Sequence, residues 1–279
     1  MNRQPEPLGL RMSNAKYHAH PAISKSKLFR MSVSPAYFKY HLDNPPPPSP
    51  SLTFGSAFHK FTLEPRYFSR EFVVGPKVDR RTSEGKRVWA AAASRAEALN
   101  RTLITEEDYT DITAMRDAVM ENKYARRLLS GAQTERSFFW TDELTGVKCK
   151  CRPDAINIIG GQAYIIDLKS CLDSSCHGFS MDAIRYGYPL QVAMYREGVR
   201  ICTGLDAKFI FVCVEKDAPY LVNILETDDL FIRYGEDQMR DFLGMYKDCT
   251  DRGQWYGYGG YTEGINTLSL PPYLQKDYV

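Results

Sequence analysis

The sequence contains no apolar run near the ~20 residues that a membrane-spanning helix needs. Its opening stretch, MNRQPEPLGL, lacks the apolar core of a secretory signal. A cytoplasmic protein that does not associate with membranes is therefore expected. Net charge is also scarce. The 36 Lys and Arg against 34 Asp and Glu leave +2, which excludes a global basic field and leaves room only for a local basic patch. The seven cysteines are odd in number and scattered, a pattern of free thiols in a reducing compartment. Charged residues make up 25% and hydrophobic residues 43%. That is an ordinary globular composition, which excludes wholesale disorder.

Length and patterning suggest a loose polar arm over 1–16 and a single domain over 17–279. Ser24 and Ser34-Pro35 read as helix starts, for helices near 24–31 and 34–42. The run NPPPPSP (44–50) predicts a stiff extended connector. A helix from about Ser51 ends before Pro65, a strand lies near 71–74, and a helix covers 83–99. Thr105 and Asp108 resemble a capping box that opens a helix ending near Ser130-Gly131. The period then changes. Residues 135–142, 147–158 and 163–169 read as strands, with a turn at Gly160-Gly161. A helix over 179–201, strands over 207–216 and 219–226, and a helix over 227–250 complete the pattern. A Gly/Tyr-rich tail follows.

The Gly160-Gly161 turn gives the stretch YIIDLKS (164–170) its meaning. In a two-residue hairpin Ile159 faces Gln162, and the same register sets Asp154 opposite Asp167. Lys169 shares that face. Like charges so close destabilise a strand pair, and a divalent cation between them would reverse the sign. Mg2+ prefers oxygen ligands and commonly takes one or two carboxylates. Cys149 and Cys151 share a strand face, but C-x-C is not the usual zinc spacing, so buried thiols are expected. The stretch GPKVDRRTSEGKR places Lys77, Arg80, Arg81, Lys86 and Arg87 together as a candidate DNA-backbone patch.

Pro153-Asp154 followed by Asp167-Leu168-Lys169 resembles the PD-(D/E)xK nuclease signature. GSAFHKFTLE, with His59 four residues after Gly55, resembles the first motif of the RecB-like branch. Gln191 and Tyr195 in YPLQVAMY resemble its Q-x-x-x-Y motif. With YHAHPAISKSKL, SPAYFKYHL, VDRRTSEGK and CKCRPD, the chain from about 17 to 226 is similar to the RecE-type (exonuclease VIII) phage and prophage exonucleases. That resemblance implies an α/β fold with a mixed central sheet flanked by helices, N-terminal helical additions and a catalytic core over about 51–226. It further implies Mg2+-dependent 5′ to 3′ digestion of linear double-stranded DNA, with Mn2+ able to substitute. The 3′ tails left behind would serve a single-strand annealing protein. Ring-shaped homo-oligomers and a phage or prophage gene in a bacterial host also follow from it.

On this reading Asp154 and Asp167 hold the metal with the Leu168 backbone carbonyl and His59. Lys169 either deprotonates the attacking water or stabilises charge at phosphorus, and a nearby cation would lower its pKa toward the base role. Glu135 is a candidate ligand for a second metal. Gln191 and Tyr195 would bind phosphate or brace Lys169. Some nucleases with this core carry an iron–sulfur cluster on cysteines near the C-terminus. Only Cys249 lies beyond residue 213 here, so no cluster is expected. The competing readings are a structure-specific or restriction-like endonuclease on the same core, and an inactive nuclease-fold DNA-binding module.

Overall fold

Local chemistry sets most element boundaries in the computed structural model, which describes residues 8–262, 264–271 and 275. Strand β1 (Leu10–Arg11) precedes helices α1 (Asn14–Ala19), α2 (Lys25–Leu28) and α3 (Pro35–Asp43). Ser34 caps α3 by accepting from the Tyr37 N–H, and Pro35 sits in the first turn, where its missing N–H costs nothing. Residues 45–49 form an exposed connector with no helix or strand. Ser49 then caps α4 (Pro50–Leu63), which stops where Pro65 begins α5 (Pro65–Glu71). Strand β2 (Phe72–Val74), helix α6 (Ser83–Ala98) and strand β3 (Thr102–Ile104) form a small parallel unit. Helix α7 (Glu106–Glu121) opens with the expected capping box of Thr105 and Asp108. It does not run on to Ser130. The Asn122 side chain accepts from Tyr124 N and Ala125 N and starts a separate helix, α8 (Lys123–Leu129).

The next strands are one antiparallel hairpin broken at mid-length. Strand β4 (Gln133–Thr134) pairs with β7 (Ala155–Ile159), and β5 (Arg136–Thr141) pairs with β6 (Lys148–Cys151), all in a single register. The two halves belong to different sheets. Pro153 has no N–H to give the ladder, and Glu135 takes a left-handed φ of 53°, a strained conformation for a residue with a Cβ. The single strand expected over 147–158 is therefore two strands with a bend between them. Strand β1 adds to the β5–β6 sheet by pairing Leu10 with Ser137. Residues 8–16, assigned to a loose arm from the sequence, are thus partly strand and helix, and residues 1–7 lie outside the described residues.

Gly160 and Gly161, at φ 59° and 85°, turn β7 into β8 (Gln162–Cys171). Helices α9 (Cys176–Arg185) and α10 (Tyr188–Thr203) carry the chain to β9 (Ala207–Glu215), parallel to β8. Strand β10 (Val222–Glu226) and helix α11 (Asp229–Arg252) follow. The helix expected over 179–201 is split because Gly187 is left-handed at φ 67°. A Cβ at Gly187 would lie 2.3 Å from the Phe29 ring, so the break is also a docking point for the N-terminal helices.

The central sheet runs β10-β9-β8-β7-β4 and is mixed. Alternation along its strands feeds two cores. Ile165, Phe209, Phe211 and Cys213 pack with α10, α11 and the N-terminal helices, whereas Ile166, Leu168, Ile210, Val212 and Val214 pack with α4 and α7. This is the α/β arrangement, helices on both faces of a mixed sheet, that the sequence implied.

Helix α11 contains two glycines in opposite situations. A Cβ at Gly235 would meet the Pro189 backbone oxygen at 2.0 Å, whereas at Gly244 nothing lies within 4 Å. Gly235→Ala should lower the free energy of unfolding by about 3 kcal/mol, since backbone cannot swing aside. Gly244→Ala should raise it by up to about 1 kcal/mol through helix propensity. Urea denaturation of the two variants checks the contrast, and equal effects would contradict this packing of α10 on α11.

Candidate active site

Three acids stand side by side where the hairpin bends. The Glu135 N–H donates to the Asp154 carbonyl at 3.1 Å. On its other side, Asp154 extends the β7–β8 register by one residue beyond the Ala155–Ile166 pair, which sets it opposite Asp167. The sequence register thus holds through the turn. Asp154 Oδ2 accepts from the Leu168 N–H at 2.8 Å and lies 3.2 Å from His59 Nδ1 on α4. Asp167 is only 2% exposed. Its Oδ1 accepts from Gln191 Nε2 at 2.5 Å, and Gln191 Oε1 accepts from Lys169 Nζ at 3.3 Å. Asp167 Oδ2 sits 2.5 Å from Lys169 Nζ yet receives no well-directed hydrogen bond. It is a buried carboxylate oxygen whose one close polar neighbour among the described residues is the Lys169 ammonium.

Burial and neighbouring charge pull the acids apart. Burial raises the Asp167 pKa, and the Asp154 charge adds to that rise against the pull of Lys169, so Asp167 ends above its ordinary value. Asp154 meets the same burial, but His59, Lys169 and the Leu168 N–H outweigh it and hold Asp154 low. Burial and then Asp154 push Glu135 up to about 7. Burial would lower His59, but Asp154 raises it overall. Burial would also lower Lys169, but the Asp167 charge prevails and keeps it a firmly protonated ammonium. The lowering expected for it applies with a cation bound beside it, whereas this balance belongs to the metal-free protein.

Of the residues named from the sequence, His59, Glu135, Asp154, Asp167, Leu168, Lys169 and Gln191 converge here. Tyr195, one turn beyond Gln191, packs its ring against Phe209. The basic residues form a separate exposed surface with local partners. Arg81 Nε lies 3.0 Å from Asp79, Arg87 Nη2 lies 2.7 Å from Glu84, and Arg80 stacks 4.7 Å over Trp89. Lys77 and Arg80 line a cavity of about 390 Å³ beside Trp89, and Lys86 is exposed on α6. All seven cysteines are free thiols. Five are buried, among them Cys149 and Cys151 as expected, and Cys176 and Cys202 are exposed.

Sequence reasoning missed several residues around the site. Tyr188, three positions before Gln191 on α10, lies 4.5 Å under Lys169 Nζ. That helical spacing could have found it. Arg152 binds Ser137 Oγ, Asn14 Oδ1 and the Met12 carbonyl and lies 3.9 Å from Glu135. Lys150, 1% exposed, donates to the Tyr17 and His20 carbonyls. The alternation in KCKCR, three cations on one strand face with no acid among them, was the available signal.

Among the described residues no trio of His, Cys, Asp or Glu side chains stands in a metal-ligating arrangement. The donor chemistry nevertheless suits a hard divalent cation. Two carboxylates are forced together, and the Asp167 oxygen that lacks a directed hydrogen bond is buried between them and Lys169.

The profile of a family described as "PDDEXK-like domain of unknown function (DUF3799)" matches residues 23–267. Among solved structures, the chain is similar to a protein from Eubacterium rectale described as a "Putative exonuclease". The TM-score is 0.61 at 13% identity, over 97% of this chain and 100% of that one. A second similar structure, SSO0001, gives a TM-score of 0.31 at 15% identity over 81% of each chain. No curated protein sequence matches. No helix among the described residues is long and apolar enough to cross a membrane.

The raised pKa of Glu135 has a consequence for stability. The folded protein keeps this proton up to about pH 7, whereas an ordinary Glu loses it near 4.3. Folded protein therefore binds more protons in that window, and stability falls as pH rises through it. Glu135→Gln should leave stability unchanged at pH 4 and raise it by up to about 3 kcal/mol at pH 8, measured by denaturant unfolding in chelator. A variant no more stable than wild type at pH 8 would show that Arg152 already neutralises the acid.

Proposed function

The chain belongs to the PDDEXK-like family, and from this membership we propose that it is a metal-dependent nuclease acting on the ends of linear double-stranded DNA. The observation that carries the reading is the alignment of Asp154, Asp167 and Lys169 on adjacent strands, with a buried Asp167 oxygen lacking a directed partner. Exonucleolytic action, 5′ to 3′ polarity and hand-over of 3′ tails to an annealing protein rest on the resemblance to RecE-type enzymes. The similarity to the Eubacterium rectale protein supports the fold on which that resemblance depends.

A divalent cation held by Asp154 and Asp167, with His59 and the Leu168 carbonyl, would supply Lewis acidity toward the scissile phosphate. Glu135, beside Asp154, would serve a second cation. The remaining steps belong to the protein. Lys169, 2.5 Å from Asp167, is placed to orient the attacking water and to offset charge that develops at phosphorus. Gln191 spans Asp167 and Lys169, so both approach the phosphate in a fixed relation. The exposed arginines can exchange weak surface ion pairs with Asp79 and Glu84 for DNA phosphates.

The test is digestion of linear and closed circular duplexes with Mg2+ or Mn2+. Wild type should degrade linear DNA and spare circles, and chelator should stop it. Asp154→Ala and Asp167→Asn should fall to background while remaining folded by circular dichroism. Cutting of circles would identify an endonuclease. Digestion by either variant, or in excess chelator, would refute the metal-carboxylate mechanism.

A net charge of +2 is small for a protein that grips long DNA over its outer surface. We propose a closed homo-oligomeric ring with its basic surface turned inward. Light scattering should then give several times 31.9 kDa, and a stable monomer would refute the ring without touching the chemistry.

A further inference from the structure

Helix α2 brings a second ammonium to the aromatic ring beneath Lys169. Lys25 Nζ lies 5.3 Å from the Tyr188 ring centroid, and Lys169 Nζ lies 4.5 Å from the same centroid. The position of Lys25 is built into the fold. Its Nζ donates to the Tyr186 carbonyl at 2.6 Å and lies 5.1 Å from the Phe29 ring, which fills the space over Gly187. The break between α9 and α10 thus fixes Tyr186, Tyr188 and Lys25 together.

Lys25 differs from the other lysines held in or near the site. Lys169 has Asp167, Lys60 has Glu64 and Glu71, and Lys150 has two carbonyls. Lys25 has one carbonyl for its three donors, and among the described residues no carboxylate is paired with it. Burial and then the Lys169 charge pull its pKa down to about 7, with Asp167 alone opposing. A half-buried cation beside a second cation, with two donors to spare, lacks an anion. DNA at this site would supply one.

We propose that Lys25 binds a backbone phosphate of the DNA strand held at the site, next to the phosphate presented to Lys169. The proposal rests on the nuclease reading for its ligand. Its test is nevertheless a binding measurement in chelator, which does not require cleavage.

Affinity for a labelled linear duplex is measured by anisotropy across a salt titration, for wild type, Lys25→Met and Lys25→Arg. Lys25→Met keeps the packing on Phe29 and Tyr188 without the charge. It should bind about tenfold more weakly, with a salt slope shallower by about one. Lys25→Arg should bind within about twofold of wild type. Unchanged affinity and slope in Lys25→Met would overturn the proposal. So would Lys25→Arg binding as poorly as Lys25→Met with both melting like wild type, because the role would then be packing. If Lys25→Met does not fold, Lys25→Gln takes its place under the same two criteria. Digestion by Asp167→Asn separates the two readings. Activity in that variant would sink the nuclease assignment, whereas the salt slope of the Lys25 variants decides the phosphate contact.

Discussion

Like charges set directly opposite on neighbouring strands repel, and this chain sets three acids in one row. Hydrogen bonds of the backbone impose the row. The β4–β7 register places Glu135 beside Asp154, and the β7–β8 register places Asp154 beside Asp167. Neither register can slip by one residue without turning both cores inside out. The repulsion must therefore be met by side chains, and each layer of the fold contributes one. Helix α4 brings His59, strand β8 brings Lys169, helix α10 brings Gln191, and Arg152 follows directly on strand β6.

Those contributions are unequal, and the inequality gives the site its chemical character. Asp154 receives an imidazole and a backbone N–H and stays ionised. Asp167 is buried more deeply and receives a charge without a directed hydrogen bond on one oxygen. Glu135 is opposed by the charges of His59, Arg152 and Lys60, which do not outweigh burial and Asp154, and its pKa climbs toward neutrality. A cluster left undercompensated in this way gains most from a cation, so the same arrangement that costs stability in the protein alone favours binding of metal.

The N-terminal segment belongs to the same balance. Lys150 and Arg152 approach the Tyr17 ring at 4.5 and 4.1 Å and take the carbonyls of Tyr17, His20 and Met12 as acceptors. Buried cations need such partners, and Arg152 holds Met12 and Asn14, expected to belong to a loose arm, against the sheet. Phe29 and Lys25 extend this dependence to the α9–α10 break, so the N-terminal helices support both sides of the acid row.

Much of this was legible from residue order, where local rules govern. The glycine pair fixed a hairpin register that reaches Asp154, Asp167 and Lys169. Caps at Ser34 and Thr105 and stops at Pro65 marked helix ends, and the Gln191 spacing put that side chain on the correct helix face. The failures share one cause. The break at Pro153, the cap at Asn122 and the kink at Gly187 depend on what lies across from them: a second sheet, a competing helix start and the Phe29 ring. Lys25 and Tyr188 meet Lys169 across elements far apart in sequence, and the pKa of Lys169 in the metal-free protein is raised by the Asp167 charge against the effect of burial. Sequence by itself determined which groups could do the chemistry and how they alternate along a strand. Tertiary structure alone decided which charges share a buried space, because a charge takes its pKa and its partners from its three-dimensional surroundings and not from its neighbours in the chain.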